Sequence, residues 1–164
     1  MRVQAEHTFK KVIQGAFNYS YVKVDVQPSS ERSKVLDAIQ NDCLDRDNGE
    51  VDSISHPSWI RAAIDGALRG LEDFPFLYQK FSSTANIPKP ENLNFKVLIT
   101  KVVGTEADTT SYALIEASAA ATRSALQQLI TQGNLGVNST LTGDNLSKLI
   151  EENPVVNSDT NPKR

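Results

Sequence analysis

The chain of 164 residues carries 17 Lys and Arg against 20 Asp and Glu, a formal net charge of −3 at pH 7. That balance excludes an extended basic footprint for nucleic acid, although a small local tip can still touch RNA. A hydrophobic share of 39% with 23% charged residues is that of a globular protein with some polar excess, and the length allows one domain with a real core.

One cysteine, Cys43, excludes an internal disulfide framework and a multi-cysteine zinc site. Its acidic surroundings, Asn41-Asp-Cys-Leu-Asp45, disfavour the thiolate, so it reads as an inert thiol. No run of about 18 apolar residues occurs, so no membrane helix is expected. The N-terminal Met1-Arg-Val-Gln-Ala-Glu-His7 has neither an apolar signal core nor an arginine-rich presequence. Without a secretion signal, the glycosylation patterns at Asn18-Tyr-Ser20 and Asn138-Ser-Thr140 read as accidental.

Residues 6–14 suggest a first strand, followed by a loop over Gly15-Ala-Phe-Asn-Tyr-Ser20 that is longer than the tightest hairpin turns. Tyr21-Val-Lys-Val-Asp-Val-Gln27 alternates as a half-buried antiparallel strand does, with Val22, Val24 and Val26 inward, Lys23 and Asp25 outward, and Pro28 at its end. The polar stretch 29–53 reads as a surface excursion. Val35, Leu36 and Ile39 suggest a short amphipathic turn or helix in it, Asp47-Asn-Gly49 a turn, and Glu50–Ile54 a short edge strand.

A helix follows, capped by Ser55 or Ser58 with Pro57 in its first turn. Trp59, Ile60, Ala63, Ile64, Ala67, Leu68 and Leu71 recur along it at helical spacing, and Asp73-Phe-Pro75 stops it. The proline-bearing stretch to Asn92 reads as a connection with a ragged helical turn around Leu77–Phe81. Phe95–Val103 reads as a strand, Gly104–Thr110 as a polar loop and residues 110–131 as a helix. On that helix Tyr112, Ile115, Ala119, Thr122, Leu126 and Leu129 form one stripe beside an alanine-rich face. Residues 141–150 suggest a last short helix, and the tail from Asn153 contains little that could form a core. The expected architecture is α+β: a two-layer sandwich of a small sheet with two main helices.

The motifs that bind nucleoside triphosphates, Gly-x4-Gly-Lys-Ser/Thr and Gly-x-Gly-x-x-Gly, are absent, as is the Gly-x-Ser-x-Gly nucleophile elbow. His7 and His56 stand apart with no metal-ligand spacing, and the acid pairs Glu72/Asp73, Glu151/Glu152 and Asp45/Asp47 adjoin turns or termini, as solvated charges do. An enzyme is not expected of this chain alone, nor a cofactor or metal. Trp59 reads as a core or hinge residue. Phe17, Tyr19 and Tyr21 suit either cross-strand packing or stacking on RNA bases.

The order of motifs carries a resemblance. Glu6-His-Thr-Phe-Lys-Lys11, then Gly15-Ala-Phe-Asn-Tyr-Ser-Tyr-Val22, then Val24-Asp-Val-Gln-Pro28 resembles the start of domain IV of the elongation factor G family, which reads Glu-Gly-Lys-Phe-x-Arg, Gly-Arg-Gly-Gln-Tyr-Gly-His-Val and a strand ending near Glu-Pro. Ser58-Trp-Ile-Arg-Ala-Ala-Ile-Asp-Gly66 is similar to that family's Glu-Tyr-Ile-Pro-Ala-Val-Glu-Lys-Gly. Asp108-Thr-Thr-Ser-Tyr-Ala-Leu-Ile-Glu-Ala-Ser118 is similar to Asp-Ser-Ser-Glu-Met-Ala-Phe-Lys-Ile-Ala-Ser. The likeness covers roughly residues 5–130. Ala16 and Phe17 stand where the family has Arg and Gly, and Thr105 where it has histidine, which puts translocation in doubt and makes the chain closest in character to the family's mitochondrial ribosome-releasing members.

The resemblance implies a left-handed β-α-β fold like the second domain of ribosomal protein S5, over residues 1–132, with a short helix and tail over 133–164. It implies a ribosome-contacting domain of a translational GTPase that splits ribosomes with the recycling factor in mitochondria. GTP and Mg would belong to a GTPase domain missing here, the chain being a fragment or a short product of the larger factor. The implied partners are ribosomal RNA of the small-subunit decoding region and the recycling factor, with no membrane and no DNA. The implied contact residues are Gly15, Ala16, Phe17, Asn18 and Tyr19 on one tip and Thr105, Glu106, Asp108 and Thr109 on the other. The alternatives are a stand-alone RNA- or protein-binding α+β module and a domain of a translocation factor.

Overall fold

The computed structural model describes residues 2–39, 50–52 (backbone only), 56–82, 93–133 and 135. Cys43, the helix expected over 141–150 and the tail lie outside the described residues. Strands β1 (Val3–Ile13) and β2 (Ala16–Ser29) form a long antiparallel hairpin. β3 (Lys34–Asp37) and β4 (Glu50–Asp52) follow, then helices α1 (Pro57–Glu72) and α2 (Phe74–Phe81), β5 (Asn94–Thr105) and α3 (Ser111–Thr131).

The sheet is mixed, in the order β1-β2-β5-β3. β3 lies parallel to β5, and β4 pairs antiparallel with the other end of β5. Val3, Ala5, Phe9, Val22, Val24, Val26, Phe95, Val97 and Ile99 are buried in one core with the helices, and the described helices pack against that face, as in an α+β two-layer sandwich. The alternation of apolar residues in β2 and β5 dictates that face, since a period of two puts every second side chain on the same side.

α3 packs on β1, β2 and α1, and α1 also meets β3 and β5. Its face towards the interior includes Leu114, Ala117, Ala121 and Ala125, all fully buried. The stripe expected to contain Tyr112 is turned: Tyr112 is 52% exposed and meets the Phe9 ring edge-on at 5.8 Å, while Thr122 and Ala119 of the same stripe face α1. Small residues bring the two helices together. A Cβ on Gly66 would come within 2.4 Å of the Ile115 carbonyl oxygen, and Ser118 donates a 2.6 Å hydrogen bond to the Ala63 carbonyl.

Several expectations need correction. The stretch Gly15–Ser20 is no long loop. A two-residue turn, Gln14 (φ 51°) and Gly15 (φ 82°), joins the strands, and the first cross-strand pair is Ile13 with Ala16. Positive φ at both turn positions matches the right-handed twist of a hairpin, which frees Ala16–Ser20 to be strand. Pro28 does not end β2, where it pairs with Phe95. It lies beyond the last β1 pair, Val3 with Val26, so its missing N–H leaves no bond to β1 unmade.

Lys34–Asp37, read as a turn or helix, is a parallel strand, because β5 offers an open edge and four residues are too few for a period to declare itself. Leu77–Phe81 is no ragged turn but part of a regular eight-residue helix. Pro75 stands in its first turn, where a proline N–H has no partner to lose, and Phe74 packs on Phe95 at 4.7 Å. α1 is capped at His56, without a side-chain cap bond and not by Ser58. Asp25, expected in solvent, is 1% exposed and ion-paired with Arg2 on the outer face of the sheet.

Candidate functional site

The two segments singled out in the sequence lie side by side at one end of the sandwich. The β1–β2 turn brings Asn18 and Tyr19 against the β5–α3 connection, and a short chain of hydrogen bonds stitches them together. The Thr109 Oγ1 accepts from the Thr105 N–H at 2.7 Å and donates to the Tyr19 carbonyl at 2.8 Å. The Tyr19 N–H donates to the Asp108 carbonyl at 3.0 Å, and the Thr109 N–H to the Thr105 carbonyl at 3.1 Å. Thr110 caps α3 by accepting from the Ala113 N–H, and its hydroxyl donates to Asn18 Oδ1 at 2.9 Å. Behind this seam the Ser20 hydroxyl reaches the Ala113 carbonyl at 2.8 Å.

The threonines explain the local fold. A threonine hydroxyl at a strand end or helix N-terminus can serve backbone groups that have no ladder partner. Gly104 completes the joint, since a Cβ there would lie 2.4 Å from Thr109 Oγ1 and 2.8 Å from the Trp59 ring. Trp59 is buried, as expected of a core residue, and its ring stacks on His56 at 4.2 Å. His56 Nε2 stands 4.0 Å from Glu106 Oε1, so α1 begins directly beneath the second tip.

The candidate residues therefore divide. Asn18 is buried and, with Thr105, Asp108 and Thr109, spends its polar groups on the seam. Gly15, Ala16, Phe17 (47% exposed) and Glu106 (side chain 75% exposed) project from it. Tyr19 is half-buried, with the Lys10 ammonium 5.5 Å above its ring. Ala16 and Phe17 project from a strand, not from a loop, so the first tip is stiffer than the sequence suggested.

Sequence reasoning missed Lys10, Lys11 and Val12, which the hairpin register sets opposite Tyr19, Asn18 and Phe17. Val12 is 69% exposed beside Phe17, giving the tip an apolar point with two lysines behind it. An Asn or Gly pair would have signalled the short turn. Gln14-Gly15 is a weaker form of that signal. Among the described residues no group of three metal-ligating side chains converges.

The chain matches no protein-family model and no curated protein. Among solved structures it is similar to a protein of Thermus thermophilus, at 16% identity and a TM-score of 0.49, over 77% of this chain. The chain spans 16% of that protein's length.

Proposed function

We propose that this chain is the ribosome-contacting domain of a translational GTPase of the elongation factor G type, acting in mitochondrial ribosome release with the recycling factor. The observation that supports it is the seam: segments 90 positions apart in sequence, Tyr19 and Thr109, form one stiff two-part tip, which is what a domain driven into the intersubunit space needs. The tip carries Phe17 for stacking on bases, Lys10 and Lys11 for phosphates, and Glu106 for base or sugar donors. In such a factor the GTP and Mg chemistry resides in another domain, and this one transmits force and recognises RNA. Thr105 replaces the histidine of the translocating members, which favours release over translocation.

The experiment is co-sedimentation with mitochondrial ribosomes at moderate salt. The chain is expected to pellet with them, and Phe17→Ala with Glu106→Ala to weaken this while leaving the thermal midpoint nearly unchanged, because both side chains project from the fold. Failure of the wild-type chain to co-pellet sinks the proposal and leaves the stand-alone RNA-binding module as the reading to pursue.

A further inference from the structure

The first tip reaches past the seam. Asn18 is held in the seam by Thr110, and Phe17, Ala16 and Gly15 lie beyond it, towards the turn. Three residues of strand span about 10 Å, so a short two-stranded arm stands out from that end of the fold. Residues 14–17 are all exposed, and a Cβ on Gly15 would meet nothing within 4 Å.

Strand alternation decides what each face of the arm carries. Val12 lies directly opposite Phe17 across the hairpin, on the face of Tyr19. At 69% and 47% exposure the two make a small apolar shelf. Lys10 is on this face, its ammonium 5.5 Å above the Tyr19 ring. Lys11 is on the opposite face, its ammonium 5.6 Å above the Phe9 ring. A ring beneath an ammonium steadies it and leaves N–H groups for an anion. No acidic residue occurs between Glu6 and Asp25, while Lys10, Lys11 and Lys23 all fall there, in a chain of net charge −3. The arm thus offers a cation on each face, with an apolar shelf at its end.

Those features select a partner. Two exposed apolar side chains are too few for a protein interface, which buries about 800 Å² on each side. Lysines on both faces suit an anionic backbone that passes on either side of the arm. A continuous RNA duplex fits badly. Its deep groove is too narrow for a two-stranded ribbon, and its stacked bases offer the shelf no apolar face. A bulge breaks the stack, opens that groove and frees a base.

We propose, resting on the reading of this tip as an RNA contact, that the β1–β2 arm binds an RNA helix at a bulge. An unpaired base lies on Val12 and Phe17, and backbone phosphates on either side of the arm meet Lys10 and Lys11. Val12 carries the preference for the bulge with Phe17, and the lysines carry affinity for any RNA backbone.

The test is fluorescence anisotropy of a labelled RNA duplex that carries a bulge of three adenines, compared with the same duplex fully paired. The bulged RNA is expected to bind at least about tenfold tighter. Val12→Thr keeps the shape of an exposed side chain but sets a hydroxyl against the base, and should lose about fivefold or more on the bulged RNA alone. Val12→Ile should lose nothing, and both variants should keep the wild-type thermal midpoint. Lys10→Gln/Lys11→Gln should weaken both RNAs by a similar factor and leave the preference intact. Equal affinity for bulged and paired RNA, or wild-type affinity in Val12→Thr, overturns the proposal. Co-sedimentation separates it from the ribosomal reading. A chain that pellets with ribosomes without preferring the bulge keeps that reading and loses this proposal. One that prefers the bulge but does not pellet keeps the proposal and loses the ribosome.

Discussion

Tyr21 concentrates several forces on one hydroxyl. Burial is the largest influence on it, followed by the hydrogen bond to Glu6 and the charges of Glu6 and Tyr19, and all of them push its pKa above the usual tyrosine value of 10.0. The folded chain therefore binds the phenolic proton more tightly than the unfolded chain does. This contribution to stability is fully present below pH 10 and is lost as the pH rises past the unfolded value towards the folded one. Tyr21 is expected to ionise above pH 10 in an ultraviolet titration that compares wild type with Tyr21→Phe. Tyr21→Phe should flatten the loss of stability above pH 10, measured as urea midpoints. The aromatic row was visible in the sequence. The Glu6 partner was not, because it depends on the hairpin register that sets Thr8 opposite Tyr21 and Glu6 one step away on the same face.

Two joints between elements decide the shape of the tip and its support. At the α1–α3 crossing, Gly66→Ala would gain about 1 kcal/mol in helix propensity. The new Cβ, however, meets backbone atoms of Ile115 at 2.4 and 2.8 Å, which cannot swing aside as a side chain can. Overpacking of this kind costs about 1–3 kcal/mol or more, so the variant should be less stable in urea unfolding, not more. At the seam, Thr109→Val keeps the shape but removes the hydroxyl that serves Thr105 and Tyr19. Leaving those partly buried groups unmet should cost about 1–2 kcal/mol and raise hydrogen exchange at the Thr105 amide ahead of the core strands. The sequence marked Thr105, Asp108 and Thr109 as a tip. It could not show that three of these groups face inward, because a threonine in a loop looks the same whether its partner is water or a strand 90 residues away.

At the scale of the molecule, the proposed contact tip sits at one end of the sandwich and the rest supports it. Arg69–Glu116 at 3.0 Å and Arg123–Asp73 at 2.6 Å tie α3 to α1 and to the α1–α2 junction. Both pairs are partly exposed and contribute little each. The buried sheet–helix core supplies the rigidity that the proposed role of the tip needs. If Lys10 and Lys11 each neutralise one phosphate, association with ribosomes should weaken roughly sevenfold between 50 and 200 mM salt, from a slope of about −0.7 per contact. A salt-independent association in the same co-sedimentation assay would show that phosphates are not what the tip touches.

The sequence by itself determined the inward face of β2, the presence of β5, the span of α3, the place of α1 and the two segments brought together at one end. Each of these rests on local periodicity or on a residue type with a narrow backbone preference. Only the tertiary structure decided that Lys34–Asp37 is a parallel strand, that Tyr112 points outward and that Asp25 is buried beside Arg2. It also decided that Phe17, Tyr19 and Tyr21 share one sheet face with Lys10. Those features depend on register and on an open edge elsewhere in the chain, where pairing energy outweighs the weak preferences of short segments.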